Sequence, residues 1–106
     1  MAFHRKWFAK TVQSDEGYEV AFARKEGRGQ KVKYSDGYRS LTVIGEPIVT
    51  VADGKRKLGY HFALQDRYLA DWDDASKTTA EERNMVRERL RSSLEFMRVP
   101  STFDFR

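Results

Sequence analysis

A chain of 106 residues, 40% hydrophobic and 34% charged, has the size of one compact domain, so residues 1–106 are expected to fold as a single unit around one core. The longest apolar run, Val20-Ala21-Phe22-Ala23, falls far short of the roughly 20 residues a membrane-spanning helix needs, and the lack of cysteine excludes disulfides, thiolate nucleophiles and cysteine metal cages. The formal charge of +4 is uneven: thirteen Lys and Arg stand against eight Asp and Glu up to Arg67, and seven against eight thereafter.

Phe3 to Val12 suits either a first strand or a short helix, because the adjacent Trp7 and Phe8 fit neither period, and the charges and aromatics of Met1 to Lys10 do not make a secretory leader. After a Ser14-Asp15-Glu16-Gly17 turn, Tyr18, Val20 and Phe22 alternate with Glu19, Ala21 and Ala23, which predicts a strand. A basic loop is expected next, with Arg24, Lys25, Arg28, Lys31 and Lys33 around the single acid Glu26 and the glycines Gly27 and Gly29. Such a loop either grips phosphates or is a solvated turn whose lysines discourage edge pairing.

Two Asp-Gly pairs then predict two hairpins with type I′ turns. With Asp36-Gly37 as the first loop, Ser35 faces Tyr38, Tyr34 faces Arg39, Val32 faces Leu41 and Gln30 faces Val43. Val32, Tyr34, Leu41 and Val43 then share one face, opposite Lys31, Lys33, Ser35, Ser40 and Thr42. With Asp53-Gly54 as the second, Ala52 faces Lys55, Val51 faces Arg56 and Val49 faces Leu58, and the core face continues to Tyr60, Phe62 and Leu64. Gly45-Glu46-Pro47 is expected to bend the chain between the two hairpins.

Beyond Leu64 the period changes. Asp71-Trp72-Asp73-Asp74-Ala75-Ser76-Lys77 reads as a polar connector, and Thr78 or Thr79 with Glu81 or Glu82 as a capping box. Val86, Leu90, Leu94 and Met97 form one helical stripe, Val99-Pro100 ends the helix, and Thr102 to Phe105 returns as an edge strand with both phenylalanines on one face. The expected fold is α+β: a curved antiparallel sheet of about five to seven strands, built from hairpins and packed against one long C-terminal helix.

The chemistry is sparse. His4 and His61 are the only histidines, so no metal site is expected, and no phosphate loop or nucleophile elbow occurs. His61 alternates with Tyr60 and Phe62, which places it on an exposed strand face. Glu46 beside the bend, and Asp71, Asp73 and Asp74 around Trp72, are the carboxylates with any prospect of acid–base work; their polar settings read more simply as a bend residue and helix-entry acids. Trp72 either plugs the end of the sheet or stands outward as a contact anchor, the plug being favoured. Arg24, Lys25, Arg28, Lys31 and Lys33 are the candidates for a nucleic-acid surface, without the aromatic motif of base-stacking sheets.

From Tyr34 to Phe105 the layout carries Arg39-Ser40-Leu41-Thr42-Val43, then Gly45-Glu46, a strand pair, Trp72-Asp73, and a helix opening Thr79-Ala80-Glu81-Glu82-Arg83. In these marks it resembles the small immunity proteins of bacterial polymorphic-toxin systems, including those of contact-dependent growth inhibition. The resemblance implies a non-enzymatic, cofactor-free cytoplasmic inhibitor that binds the C-terminal catalytic domain of a cognate toxin, with no membrane partner. Contacts are then expected at Glu46, Asp71, Trp72, Asp73 and Asp74. Because the chain is basic overall, either the acids Asp71, Asp73 and Asp74 make the contact or the toxin is itself acidic. A small nucleic-acid-associated or phage accessory domain is the alternative.

Overall fold

The computed structural model describes residues 3–5, 10–37 and 39–106, with the side chains of residues 4, 5, 24–26 and 52 left aside. Among the described residues seven strands form one sheet whose spatial order is the chain order: β1 (Phe3–Arg5), β2 (Thr11–Ser14), β3 (Glu19–Glu26), β4 (Gly29–Asp36), β5 (Arg39–Ala52), β6 (Lys55–Ala63) and β7 (Ser101–Asp104). A 3₁₀ turn at Asp66–Tyr68 and the helix α1 (Ala80–Phe96) lie between β6 and β7. The open α+β sheet roofed by one long helix is the expected architecture. The difference lies at the last edge, where β7 runs parallel to β6, because α1 carries the chain back to the end from which β6 began. Phe3–Arg5 and Thr11–Ser14 are strands; Trp7 and Phe8 lie outside the described residues.

The second hairpin has the register its Asp53-Gly54 turn dictates, with Ala52 opposite Lys55, Val51 opposite Arg56 and Val49 opposite Leu58. Both turn residues have positive φ, 53° and 74°, as a type I′ turn requires. The first hairpin closes one residue later than the dipeptide suggests, which shifts its cross-strand pairing by two. Asp36 faces Arg39, Tyr34 faces Leu41 and Val32 faces Val43, while Tyr38 lies outside the described residues. Asp36 is drawn into the strand because its carboxylate accepts from the Tyr34 hydroxyl at 2.8 Å and the Arg39 Nε at 3.3 Å. A two-residue shift preserves the side-chain parity, so Val32, Tyr34, Leu41 and Val43 are all buried on one face.

Gly45-Glu46-Pro47 does not bend the chain apart: β5 runs straight through it for 14 residues. Pro47 is tolerated because the register puts its nitrogen on the edge away from β6, beyond the last β4 pair at Gly45, where no ladder bond is lost. The basic segment is likewise not a loop. Residues 24–26 complete β3, Gly27 and Arg28 make the turn, and Lys31 and Lys33 lie within β4. A bulge between Phe22 and Lys25 sets two residues opposite Lys31, and the buried Gln30 amide donates to the Ala23 carbonyl there at 2.6 Å.

The helix begins where its capping box predicts: Thr79 accepts from the Glu82 amide at 3.1 Å and Glu82 accepts from the Thr79 amide at 2.8 Å. Val86, Leu90 and Leu94 are buried against Tyr18, Val20, Val32, Tyr34, Leu41, Phe62 and Leu64, with Leu69 and Trp72 closing one end. The cover stops at Phe96. Val49, Val51 and Leu58, expected on the core face, do lie on it, yet they are 66, 72 and 64% exposed because the helix does not reach them.

Candidate functional site on the outer sheet face

Alternation puts Lys31 and Lys33 of β4, Thr42, Ile44 and Glu46 of β5 and His61 and Ala63 of β6 on the face away from α1. Thr42, Ile44, Glu46, Ala63 and Tyr68 border a shallow hollow of about 320 Å³ on this face. Ile44 and Tyr68 are 49 and 51% exposed. Tyr68 enters from the 3₁₀ turn, whose closure by the Tyr68 amide on the Gln65 carbonyl at 2.9 Å aims the ring, and the Arg67 guanidinium stacks 4.8 Å from it.

Asp73 rims the hollow at the Thr42 end. Its carboxylate accepts from the Thr42 amide at 3.1 Å and from the Ser40 and Thr42 hydroxyls at 2.9 Å each, and its own amide donates to the Ser40 carbonyl at 2.8 Å. The connector thereby closes the part of the β5 edge that β6 leaves open. Glu46 stands exposed at the other end, in register with His61. The two carboxylates are four strand positions apart through Thr42 and Ile44, about 13 Å at ordinary strand rise.

The remaining expected contact residues fall elsewhere. Asp71 pairs with Lys77 at 2.6 Å, and the two residues form a β-bridge. Asp74 accepts from the Ser76 hydroxyl at 2.5 Å and amide at 2.9 Å, and the hydroxyl first and then the amide hold its carboxyl below the usual range. Trp72, expected as a contact, is instead core. It is 3% exposed, 6.3 Å from the Tyr34 ring, with the Arg39 guanidinium 4.3 Å over its face. Flanking acids anchored to the surface force the residue between them inward, which favours the plug over the anchor. Of the basic candidates, Arg28 is exposed in its turn, and Lys31 and Lys33 lie on the same face as the hollow, one strand over, in register with Ile44 and Thr42; the Arg24 and Lys25 side chains lie outside the described residues.

Two polar constellations escaped the sequence. Between α1 and the sheet, the Tyr34 hydroxyl donates to Asp36 and accepts from Arg89 at 2.7 Å, while Arg39 bridges Asp36 to Glu82. Burial above all pushes the Tyr34 hydroxyl up to about 12. On the outer face, His61 meets Thr102 Oγ1 through Nδ1 at 2.6 Å and Asp104 through Nε2 at 3.0 Å. These contacts arise from the parallel register, which sets His61 beside Thr102, and they fasten β7 to β6. The parallel pairing itself had no signal in the sequence. Among the described residues no group of three His, Asp or Glu is placed to hold a metal ion. No family model, curated protein or solved structure matches the chain.

Proposed function

We propose that the chain is a non-enzymatic immunity protein that binds and neutralises the C-terminal catalytic domain of a bacterial toxin in the cytoplasm, using the outer face of its sheet. The observation that carries this reading is the pair of half-exposed side chains Ile44 and Tyr68, held on a rigid sheet between the carboxylates Glu46 and Asp73. A tyrosine and an aliphatic residue ringed by charge are what a protein interface uses as anchors and rim. The carboxylates suit a basic toxin surface, such as a nuclease active-site groove, despite the positive charge of the whole chain.

Phosphate binding draws less support from the same face. Lys31 and Lys33 are interrupted by Glu46, Asp73 and Asp104, so a nucleic acid laid across the hollow meets both signs. The test is coexpression with the toxin domain encoded beside this protein, followed by measurement of affinity and of protection from growth arrest. Tyr68→Ala together with Ile44→Asp should weaken the complex by about 2 kcal/mol or more. Unchanged affinity in a folded double variant, or salt-sensitive binding of bulk RNA in place of the toxin domain, would overturn the proposal.

A further inference from the structure

β5 and β6 run on past the rest of the sheet as a two-stranded ribbon. β4 pairs with β5 only as far as Gly45, and β7 joins β6 only from Tyr60. The ribbon is amphipathic. Val49, Val51 and Leu58 occupy its helix-side face, beyond the end of α1, with Arg56 at the tip; Lys55 and Lys57 occupy the opposite face. Lys55, Arg56 and Lys57 are exposed and have no ion pair among the described residues.

The ribbon also has an open backbone edge. The Tyr60 amide donates to the Pro100 carbonyl at 2.9 Å, so the even-numbered residues of β6 turn their backbone groups toward β7. Arg56 and Leu58 do the same, but β7 has not yet begun there, and no described strand lies alongside them. Unpaired strand edges recruit other strands, and the side chains on each face select which strand. A second copy of this ribbon would set three consecutive cations against themselves.

We propose that the ribbon is a docking arm for an extended acidic segment of a partner protein. The segment adds as a strand along Arg56–Leu58, its apolar side chains beside Leu58 and its carboxylates beside Lys55 and Lys57. Its apolar part lies on the opposite face from the Ile44–Tyr68 hollow, its lysines on the same face but beyond Glu46, and the proposal does not depend on the immunity reading.

The test titrates the whole chain with a short blocked peptide of alternating Glu and Val, followed by backbone amide spectra. The Arg56 and Leu58 amides should shift and become slow to exchange. Lys55→Glu combined with Lys57→Glu should raise the peptide Kd roughly tenfold at low salt, with the remaining amide spectrum unchanged. Unmoved Arg56 and Leu58 amides would overturn the proposal, as would equal affinity for a Lys–Val peptide of the same length. So would stronger occupation of the ribbon by duplex RNA or by phosphatidylserine vesicles, or self-association through it.

Discussion

A methyl group at Gly45 would lie 2.6 Å from Cε1 and 2.7 Å from Cζ of Phe62, and one at Gly59 would lie 2.3 Å from the Pro100 carbonyl oxygen. The Phe62 ring is itself buried and stacked on Phe103 at 5.8 Å, so it has little room to yield. Gly45→Ala should therefore cost about 1–3 kcal/mol, and Gly59→Ala at least as much, because the obstacle there is backbone; urea midpoints measure both. Titration acts at the same scale. The Glu82 carboxyl is held below its usual 4.5, first by the Thr79 amide and then by Arg39, and the Asp66 carboxyl below 3.8, first by Arg87. A depressed folded value means that the native state favours the ionised form, so the stability they add is present above these usual values and is lost as the pH falls through the lower folded ones. Tyr34 runs the other way. Its raised value keeps the folded hydroxyl protonated, so its contribution is complete below pH 10.0 and is lost as the pH rises toward about 12. Urea midpoints followed across pH should decline at both extremes, and Tyr34→Phe should flatten the alkaline decline.

At the level of elements, what could be read from the chain was whatever a short-range rule decides. Asp53-Gly54 fixed a register because two adjacent positive-φ residues define the turn, and Thr79 with Glu82 fixed the helix start because both bonds of the capping box are local. The Asp36-Gly37 hairpin closed one residue late because the fate of Asp36 depends on Arg39, Tyr34 and, through Tyr34, Arg89 on the distant helix. Of the candidate site, Glu46 and Asp73 were legible as carboxylates beside breaks in pattern. Ile44 and Tyr68 were not: Ile44 follows the strand alternation without being marked by it, and Tyr68 sits in a single 3₁₀ turn that has no period to detect. Trp72 in a polar connector suits plug and anchor alike, and only its packing on Tyr34 decides for the core. Two element-level substitutions follow. Thr79→Ala removes one bond of the capping box and should cost about 1 kcal/mol. Arg98, the residue after the helix cap, has φ 58°, so Arg98→Gly should stabilise the protein by about 0.5–1 kcal/mol by relieving a left-handed backbone; thermal denaturation of the two variants checks both signs.

Over the whole molecule the turns sort into two ends. The 15–17 and 37 turns and the 65–79 connector lie at one end, where Asp15, Glu16, Asp36, Asp66, Asp71, Asp73 and Asp74 outnumber Arg67 and Lys77; the 27–28 and 53–54 turns and the helix C-terminus lie at the other, where Arg28, Lys55, Arg56, Lys57 and Arg98 outnumber Asp53. The net charge of +4 is thus the remainder of a separated distribution, and each end is suited to a partner of opposite sign. Protection is separated along the same axis. Amides of β4 and the facing half of β5, around Val32, Tyr34 and Leu41, should exchange only through global opening, while those of Val51 and Lys55 in the ribbon should exchange orders of magnitude faster; native-state hydrogen exchange measures the gradient.

The neighbour-to-neighbour strand order has a kinetic consequence. Pairings from β1 to β6 close short loops, whereas β7 can join only after residues 64–100 have been brought round by the helix. Substitutions in the β4–β5 hairpin, such as Leu41→Ala, should therefore slow refolding in a chevron experiment, while Phe103→Ala should chiefly quicken unfolding.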